Sequence, residues 1–575
     1  MRINLAAVGP DYGTNQGLDL LSIPGTNGAS LTQSGLPVFN MSNGLSGLGN
    51  TNVSQPFQFR DMQYVGNVNA TYIRGDHTMR FGGEYTHSAI NQSQTNGNSP
   101  RGLFQFSGGA TGNNSSTAAG STPAASPTYY RTIADYLLGF PNQLGKTVQY
   151  FNPNGPRFSS FAFYAQDTWK ATSNLTVNYG LRYEYYPFAN RDHTGVFRFD
   201  PATSNVLIGG RGSVPTNTGE NVGHGLVVPR LGVNYRINDK TVLRSGFGFT
   251  VDPDNFRYFR DAYPALITLN NVGVNTYVPA GALSGPGATV PNANTLPSGV
   301  LGIGIPTVNV PDISAGTVPL PFNYSTQTVP KDFRRGYIES WNLFIDQSFT
   351  KGIVGTIGYV GTHHVRQVVG LDINAGTIGS PLGNLSRPLK TNTNAPGNVN
   401  GVPRTITTQI LQVTPFGDEE YSGLQAQLTD RQLRSFQFGY AYTWSHAMNV
   451  FDENSTLGGL IFNNPALLKR NYANSAFDRT HVNALWTVWQ IPVGPGRQFL
   501  TSGFLGRLIG GFDLNTITTY YSGAPFQLTD NSYSGFGDTT TPDQISKPVL
   551  GAKYRAAQAT GPTALTYFDN SAGYY

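Results

Sequence analysis

The sequence predicts an all-β fold: a large transmembrane antiparallel β-barrel with long extracellular loops. Three observations predict it. Apolar and polar residues alternate with period two in one stretch after another, which places them on opposite faces of strands. Short turns alternate along the chain with long connections rich in Gly, Asn, Ser and Thr, the asymmetry of short periplasmic turns and long external loops. No run of about 18 or more apolar residues occurs, so no helix crosses a membrane, whereas a barrel hides its hydrophobicity in alternation.

Composition narrows the function classes. Charged residues make up 12% of the chain, about half the globular average of about 25%. Aromatic residues also reach 12%, with 31 Tyr and 34 Phe. The net charge is +5 over 575 residues and no dense Lys/Arg run appears, which argues against nucleic acid as a partner. Cysteine is absent, which excludes disulfides, a thiolate nucleophile and Cys-based metal sites.

The clearest stretch is Phe161 to Pro187, FAFYAQDTWKATSNLTVNYGLRYEYYP, two strands joined by a short turn. Leu175, Val177, Tyr179, Leu181, Tyr183 and Tyr185 share one parity; Thr176, Asn178, Gly180, Arg182 and Glu184 share the other. A soluble sandwich would bury the aromatic face, and a membrane barrel would turn it to lipid. The uneven connections favour the barrel. Strands facing water with Phe, Tyr and Trp would also promote aggregation.

In chain order, residues 1–56 read as an irregular segment. Tyr64 to Arg74 and His77 to His87 read as a hairpin turning at Gly75-Asp76, with Met79, Phe81 and Tyr85 opposite Arg80 and Glu84. Residues 91–128 read as a polar loop interrupted by LFQF, followed by a short helix or turn in Arg131 to Phe140. Leu226 to Ile237 pairs with Lys240 to Val251 across Asn238-Asp239. Residues 252–332 read mainly as loop. Tyr337 to Phe349 and Val354 to Val360 turn at Lys351-Gly352, and a Gly- and Asn-rich loop follows. Thr405 to Val413, Tyr421 to Arg431 and Ser435 to His446 read as three strands; the last has an unbroken aromatic face of Phe436, Phe438, Tyr440, Tyr442 and Trp444. Residues 447–478 read as loop. His481 to Ile491 and Phe512 to Tyr521 make a further pair, and the pattern fades after residue 530. The barrel therefore spans 57–530, with roughly 14 to 16 strands near the 9 to 11 residues that cross a membrane at a tilt.

Chemistry-bearing motifs are sparse. There is no nucleophile elbow, phosphate loop or HExxH zinc motif, so no catalytic or cofactor-binding residue is assigned and the chain does not read as an enzyme. Asp167, in the Tyr164-x-Gln166-Asp167-x-Trp169 cluster, reads as a strand-end residue beside an aromatic girdle rather than a catalytic acid. His363-His364 lacks a carboxylate or third histidine at ligand spacing, and Asp252 with Asp254 falls far short of a calcium site, so no metal ligand is assigned. Arg80, Glu84, Arg182, Glu184, Arg230, Arg236, Arg244 and Arg431 lie on polar strand faces. They suit either a charged lumen that holds a plug or steers a solute, or ion pairing across the barrel wall.

Ordered along the chain, GDHTMRFGGEY, ADYLLGFP, YAQDTWKATSNLTVNYGLRYE, PRLGVNYRINDKTVLRSGFG, ESWNLFIDQSF, GYVGTHH, YSGLQAQLTDR, FGYAYTWSHAM and FDRTHVNALWTVWQIPVG resemble the barrel of TonB-dependent outer-membrane receptors of the Oar-like subgroup. The resemblance implies location in the cell outer membrane and energy-coupled uptake of an unidentified ligand. A plug domain would engage the TonB complex. It also implies a signal peptide, a plug and closing strands that are not legible here: MRINLAAVG has no apolar core and the chain ends SAGYY, so it reads as a barrel fragment with a gapped sheet. A passive porin-like channel or a surface adhesion barrel is the alternative, and an outer-membrane hydrolase a third class. Tyr179, Tyr183, Tyr185, Tyr440, Tyr442 and Trp444 are expected to face lipid, and Arg182, Glu184, Arg244 and Arg431 the lumen. Ligand contacts are expected from the loops near 91–130, 252–332 and 374–403.

Overall fold

The computed structural model describes residues 2–5, 13–55, 57–95, 97–112, 128–252, 262–273, 277–283, 302–321, 324–350, 352–377, 386–391, 409–430, 435–451, 468 and 470–525. Among the described residues twelve long strands form one antiparallel path: β1 Phe57–Arg74, β2 His77–Ser93, β3 Pro156–Lys170, β4 Leu175–Tyr185, β5 Leu226–Asn238, β6 Thr241–Val251, β7 Tyr337–Thr350, β8 Ile353–Asp372, β9 Ile410–Asp430, β10 Phe436–Asn449, β11 His481–Gln490 and β12 Asp513–Tyr521. A short strand, Arg2–Leu5, pairs with the start of β1. Each long strand pairs with its neighbour in sequence, as expected of a meander whose hairpins form locally. Among the described residues the first and last strands of the path do not pair with each other, so the barrel sheet is open.

Three of the six hairpins turn tightly, at residues 75–76, 171–174 and 239–240, and two more join strands whose bounds leave two and five residues between them, Thr350 to Ile353 and Asp430 to Phe436. At the first, Gly75 adopts φ +57°, a left-handed conformation that glycine enters without a Cβ clash. The sixth connection, 491–512, is longer and carries a helix, Gly503–Leu508. The connections at the opposite end span 94–155, 186–225, 252–336, 373–409 and 450–480.

Those long connections are not plain loops. A five-stranded sheet joins, in order, Leu266–Val272, Gln143–Gln149, Leu103–Phe106, Val38–Met41 and Leu48–Gly49. A three-stranded sheet joins Phe197–Asp200, Asn205–Ile208 and Thr317–Pro319. The hydrophobic core of the molecule lies in this layer. Ile23, Phe39, Phe104, Phe106, Leu144 and Ile305 form one buried cluster, and Phe197, Phe199, Val206, Ile208, Tyr263 and Val318 belong to another. Residues 13–55, read from sequence as irregular, hold a π-helical turn at Gln16–Leu20, a 3₁₀ turn at Leu31–Gln33 and two of these strands. These two strands are two to four residues long and pair with each other and, through the parallel pairing of Phe39 with Phe104, with a remote segment, so no local period announces them. The LFQF interruption is the strand Leu103–Phe106, and Thr128–Leu138 is helical.

One further expectation is corrected. Thr405 to Val413 and Tyr421 to Arg431 are not separate strands: Ile410–Asp430 is continuous. Pro415 and Gly417 look like breakers, but they fall opposite a bulge in β8 at Val365 to Val368, where Arg366 has φ +60°. A bulge interrupts the ladder and tolerates a residue without an N–H.

Candidate functional site

The backbone register shows which side chains share a face. Directly opposed residues project to the same side of a sheet. Tyr179 lies opposite Leu231, Leu231 opposite Phe247, Phe247 opposite Trp341, Trp341 opposite Gly361, Gly361 opposite Ser422 and Ser422 opposite His446. His446 has the parity of Tyr440, Tyr442 and Trp444, so all six predicted aromatic residues occupy one face. Large apolar side chains stand exposed along it, among them Phe163 (59%), Leu231 (48%), Ile357 (51%) and Trp444 (55%). An apolar surface of this extent requires a non-aqueous partner.

The other face is polar. Arg182 pairs with Glu184 on its own strand and with Glu84 Oε2 on β2 at 3.4 Å. Arg244 reaches Asp346 on β7 at 2.6 Å, and the Thr356 hydroxyl of β8 donates to the same carboxylate at 2.7 Å. Thr176 and Arg244 both lie opposite Asn234, which puts Arg244 on the Arg182 face. Arg431 lies outside the described residues. Asp346 could not be matched to Arg244 from sequence, because the two stand 102 residues apart and only the ladder joins their strands.

The polar face holds a cleft of about 690 Å³ lined by Arg80, Tyr164, Gln166, Asn178, Arg230 and Asn342, among others. Its floor is glycine. Gly180, Gly232, Gly246 and Gly248 occupy this face on β4, β5 and β6, and a Cβ at Gly180 would stand 2.7 Å from Gln166 Cβ.

The remaining motifs separate by face. Asp167 lies on the aromatic face, where Tyr179 Oη donates to its Oδ2 at 2.9 Å and His77 Nδ1 lies 2.6 Å away. Trp169 stacks on His77 at 5.7 Å, three residues or fewer from the end of β3. Tyr164 does not join this girdle; it lies opposite Arg182 on the polar face and donates to Asn69, because 164 and 169 differ in parity. His363 and His364 point to opposite faces. His363 meets Asp418 at 2.7 Å and Glu339 at 3.9 Å; His364 meets Asp252 at 3.2 Å and Glu419 at 3.9 Å. The carboxylates missing at local spacing come from the flanking strands β7 and β9 and from Asp252, just past the end of β6. No group of three such residues among the described ones is arranged to hold a metal ion.

A single sheet with one aromatic face, one polar face and its tight turns gathered at one end is the wall of a membrane barrel. The family model of the outer membrane beta barrel domain matches residues 1–574. The chain belongs to this outer membrane beta barrel family. The wall therefore sits in the cell outer membrane and crosses it with strands; among the described residues no helix is long and apolar enough to cross a membrane. No curated protein matches the sequence. Among solved structures, the barrel is similar to the outer membrane transporter YddB from Escherichia coli, at 10% identity over 81% of this chain and 47% of that one, with a TM-score of 0.39. It is similar to the FrpB iron transporter from Neisseria meningitidis, at 8% identity over 76% of this chain and 42% of that one, TM-score 0.35. A mutant of the ferric enterobactin receptor PfeA from Pseudomonas aeruginosa gives 12% identity over 76% and 40%, TM-score 0.35. This barrel chain thus spans less than half the length of these proteins.

Proposed function

We propose that the chain forms the barrel of a TonB-dependent outer-membrane transporter of the Oar-like kind, taking up a ligand in an energy-coupled step. In this reading Tyr179, Tyr183, Tyr185, Tyr440, Tyr442 and Trp444 face lipid. Arg182, Glu184 and Arg244 face an aqueous lumen, as does Arg431. Residues 57–530 are the barrel proper. The packed layer built on the long connections faces the cell exterior and captures the ligand. A plug domain of the transporter closes the lumen and receives energy from the TonB complex.

The observation that carries this reading is the segregation of the two faces, continuous through the register from β4 to β10. A wall wet on one side only supports an aqueous path bounded by lipid. The test is uptake by cells expressing the transporter with and without TonB, across siderophore, oligosaccharide and peptide classes. Uptake of one class that disappears without TonB supports the proposal; uptake indifferent to TonB assigns a passive channel instead.

A further inference from the structure

The polar face treats its arginines in two ways. Arg182 and Arg244 are neutralised by carboxylates, and Arg236 donates to Asn174 Oδ1 at 2.8 Å. Arg80 and Arg230 have neither an ion pair nor a hydrogen bond among the described residues, and both are exposed. Both line the same cleft.

The ladder sets them in one cross-strand row. Arg80 lies opposite Gln166, Gln166 opposite Gly180, Gly180 opposite Arg230, and Arg230 opposite Gly248. Three strand spacings put their Cα atoms about 14 Å apart, a gap that two arginine side chains leaning toward each other narrow to the size of a small molecule. Gly180 and Gly248 flank Arg230 and leave its side chain without steric walls on either side. The next row, Asn178, Gly232, Gly246 and Asn342, adds two amides around a bare centre.

We propose that this cleft binds a carboxylate-bearing anion, a di- or tricarboxylate bridged between Arg80 and Arg230. The guanidinium fork matches a carboxylate bidentately, and a charge-assisted pair is the strongest hydrogen bond such a wall can offer. The Gln166, Asn178 and Asn342 amides supply further donors, and the glycine floor supplies the room. The inference rests on the reading of the polar face as an aqueous lumen. The carboxylates belong to a free solute or to acidic side chains of a polypeptide seated in the barrel; the recognition chemistry is the same.

The test is calorimetric titration of the full chain, folded in detergent micelles, with citrate and separately with a hexaglutamate peptide. The proteins are the wild type, Arg80→Gln, Arg230→Gln, the double variant, and Arg244→Gln as a control outside the cleft. Citrate is expected to bind the wild type and Arg244→Gln equally, each single variant at least tenfold more weakly, and the double variant not at all. Binding of hexaglutamate but not citrate, lost in the same variants, keeps the carboxylate site and assigns it to a polypeptide. Binding of neither, or binding unchanged in the variants, overturns the proposal. Circular dichroism checks the fold, and the single variants suffice if the double variant does not fold. Micelles impose no membrane orientation, so this result is independent of whether the uptake reading survives.

Discussion

Tyr179 and Tyr440 lie six strands apart in the sheet and on the same face of it. All six pairings that connect their strands run through the row without a register shift at the residues involved, and the row ends at His446, which has the parity of Tyr440. A slip of one residue at any pairing would have put them on opposite faces.

That relationship is directly measurable. The chain has no cysteine, so single cysteines report without background. In bilayers, cysteines replacing Tyr183, Leu231 and Tyr440 are expected to react with a lipid-soluble maleimide and resist a charged one. Cysteines replacing Asn178, Thr356 and Gln425 are expected to do the reverse. Equal labelling of both sets by the charged reagent would disprove the assignment of faces.

Charge on the aromatic face should be costly. Leu231→Arg is expected to destabilise the bilayer-inserted sheet by about 2–4 kcal/mol if it sits near the midplane. Gln425→Arg, on the polar face, should change stability by less than about 1 kcal/mol. Denaturant titration in liposomes reads both.

The Arg182 cluster is a linked unit: removing the guanidinium leaves Glu184 and Glu84 without their shared cation. Arg182 is three-quarters covered and Glu184 nearly buried. Arg182→Met is therefore expected to cost about 1–3 kcal/mol, and Glu184→Gln in the same chain should recover part of the loss. A double-mutant cycle with zero coupling would show that the pair contributes nothing.

The layer built on the long connections should behave as a packed unit. Phe104 is fully buried and stacks on Phe39 at 5.6 Å between ring centres. Phe104→Ala is expected to cost about 3–5 kcal/mol. Hydrogen exchange should accelerate in 38–49, 103–106 and 143–149 while β7 to β10 stay protected. Unchanged exchange in the layer would mean that it has no core of its own.

The layer also carries a pH response. Glu220 is buried beside Arg198, whose Nε lies 2.8 Å from its Oε1, and burial pushes its pKa up to about 6. An unfolded glutamate titrates near about 4.3. The folded state therefore holds the proton more tightly. Its stabilising effect is complete below the unfolded pKa and is lost as pH rises through about 6, a change of about 2 kcal/mol between pH 4 and pH 7. The difference in layer stability between wild type and Glu220→Gln should follow that window; a difference flat from pH 4 to pH 7 would count against it.

Period-two alternation made β4, β5, β10 and β11 legible within a few residues, because every second side chain meets one environment and local sequence records it. It also separated the aromatic set from Arg182, Glu184 and Arg244. Three matters lay beyond it. The layer built on the long connections pairs segments as far apart as Asn205–Ile208 and Thr317–Pro319, too short to show a period. The Asp346 partner of Arg244 and the carboxylates around His363 and His364 arrive from other segments of the chain. Among the polar-face charges, Arg182 and Arg244 are paired across the sheet, while Arg80 and Arg230 stand free among the described residues. Alternation is a property of one strand and is written in its residues. Which charge meets which is a property of the register between strands, and only the assembled sheet determines it.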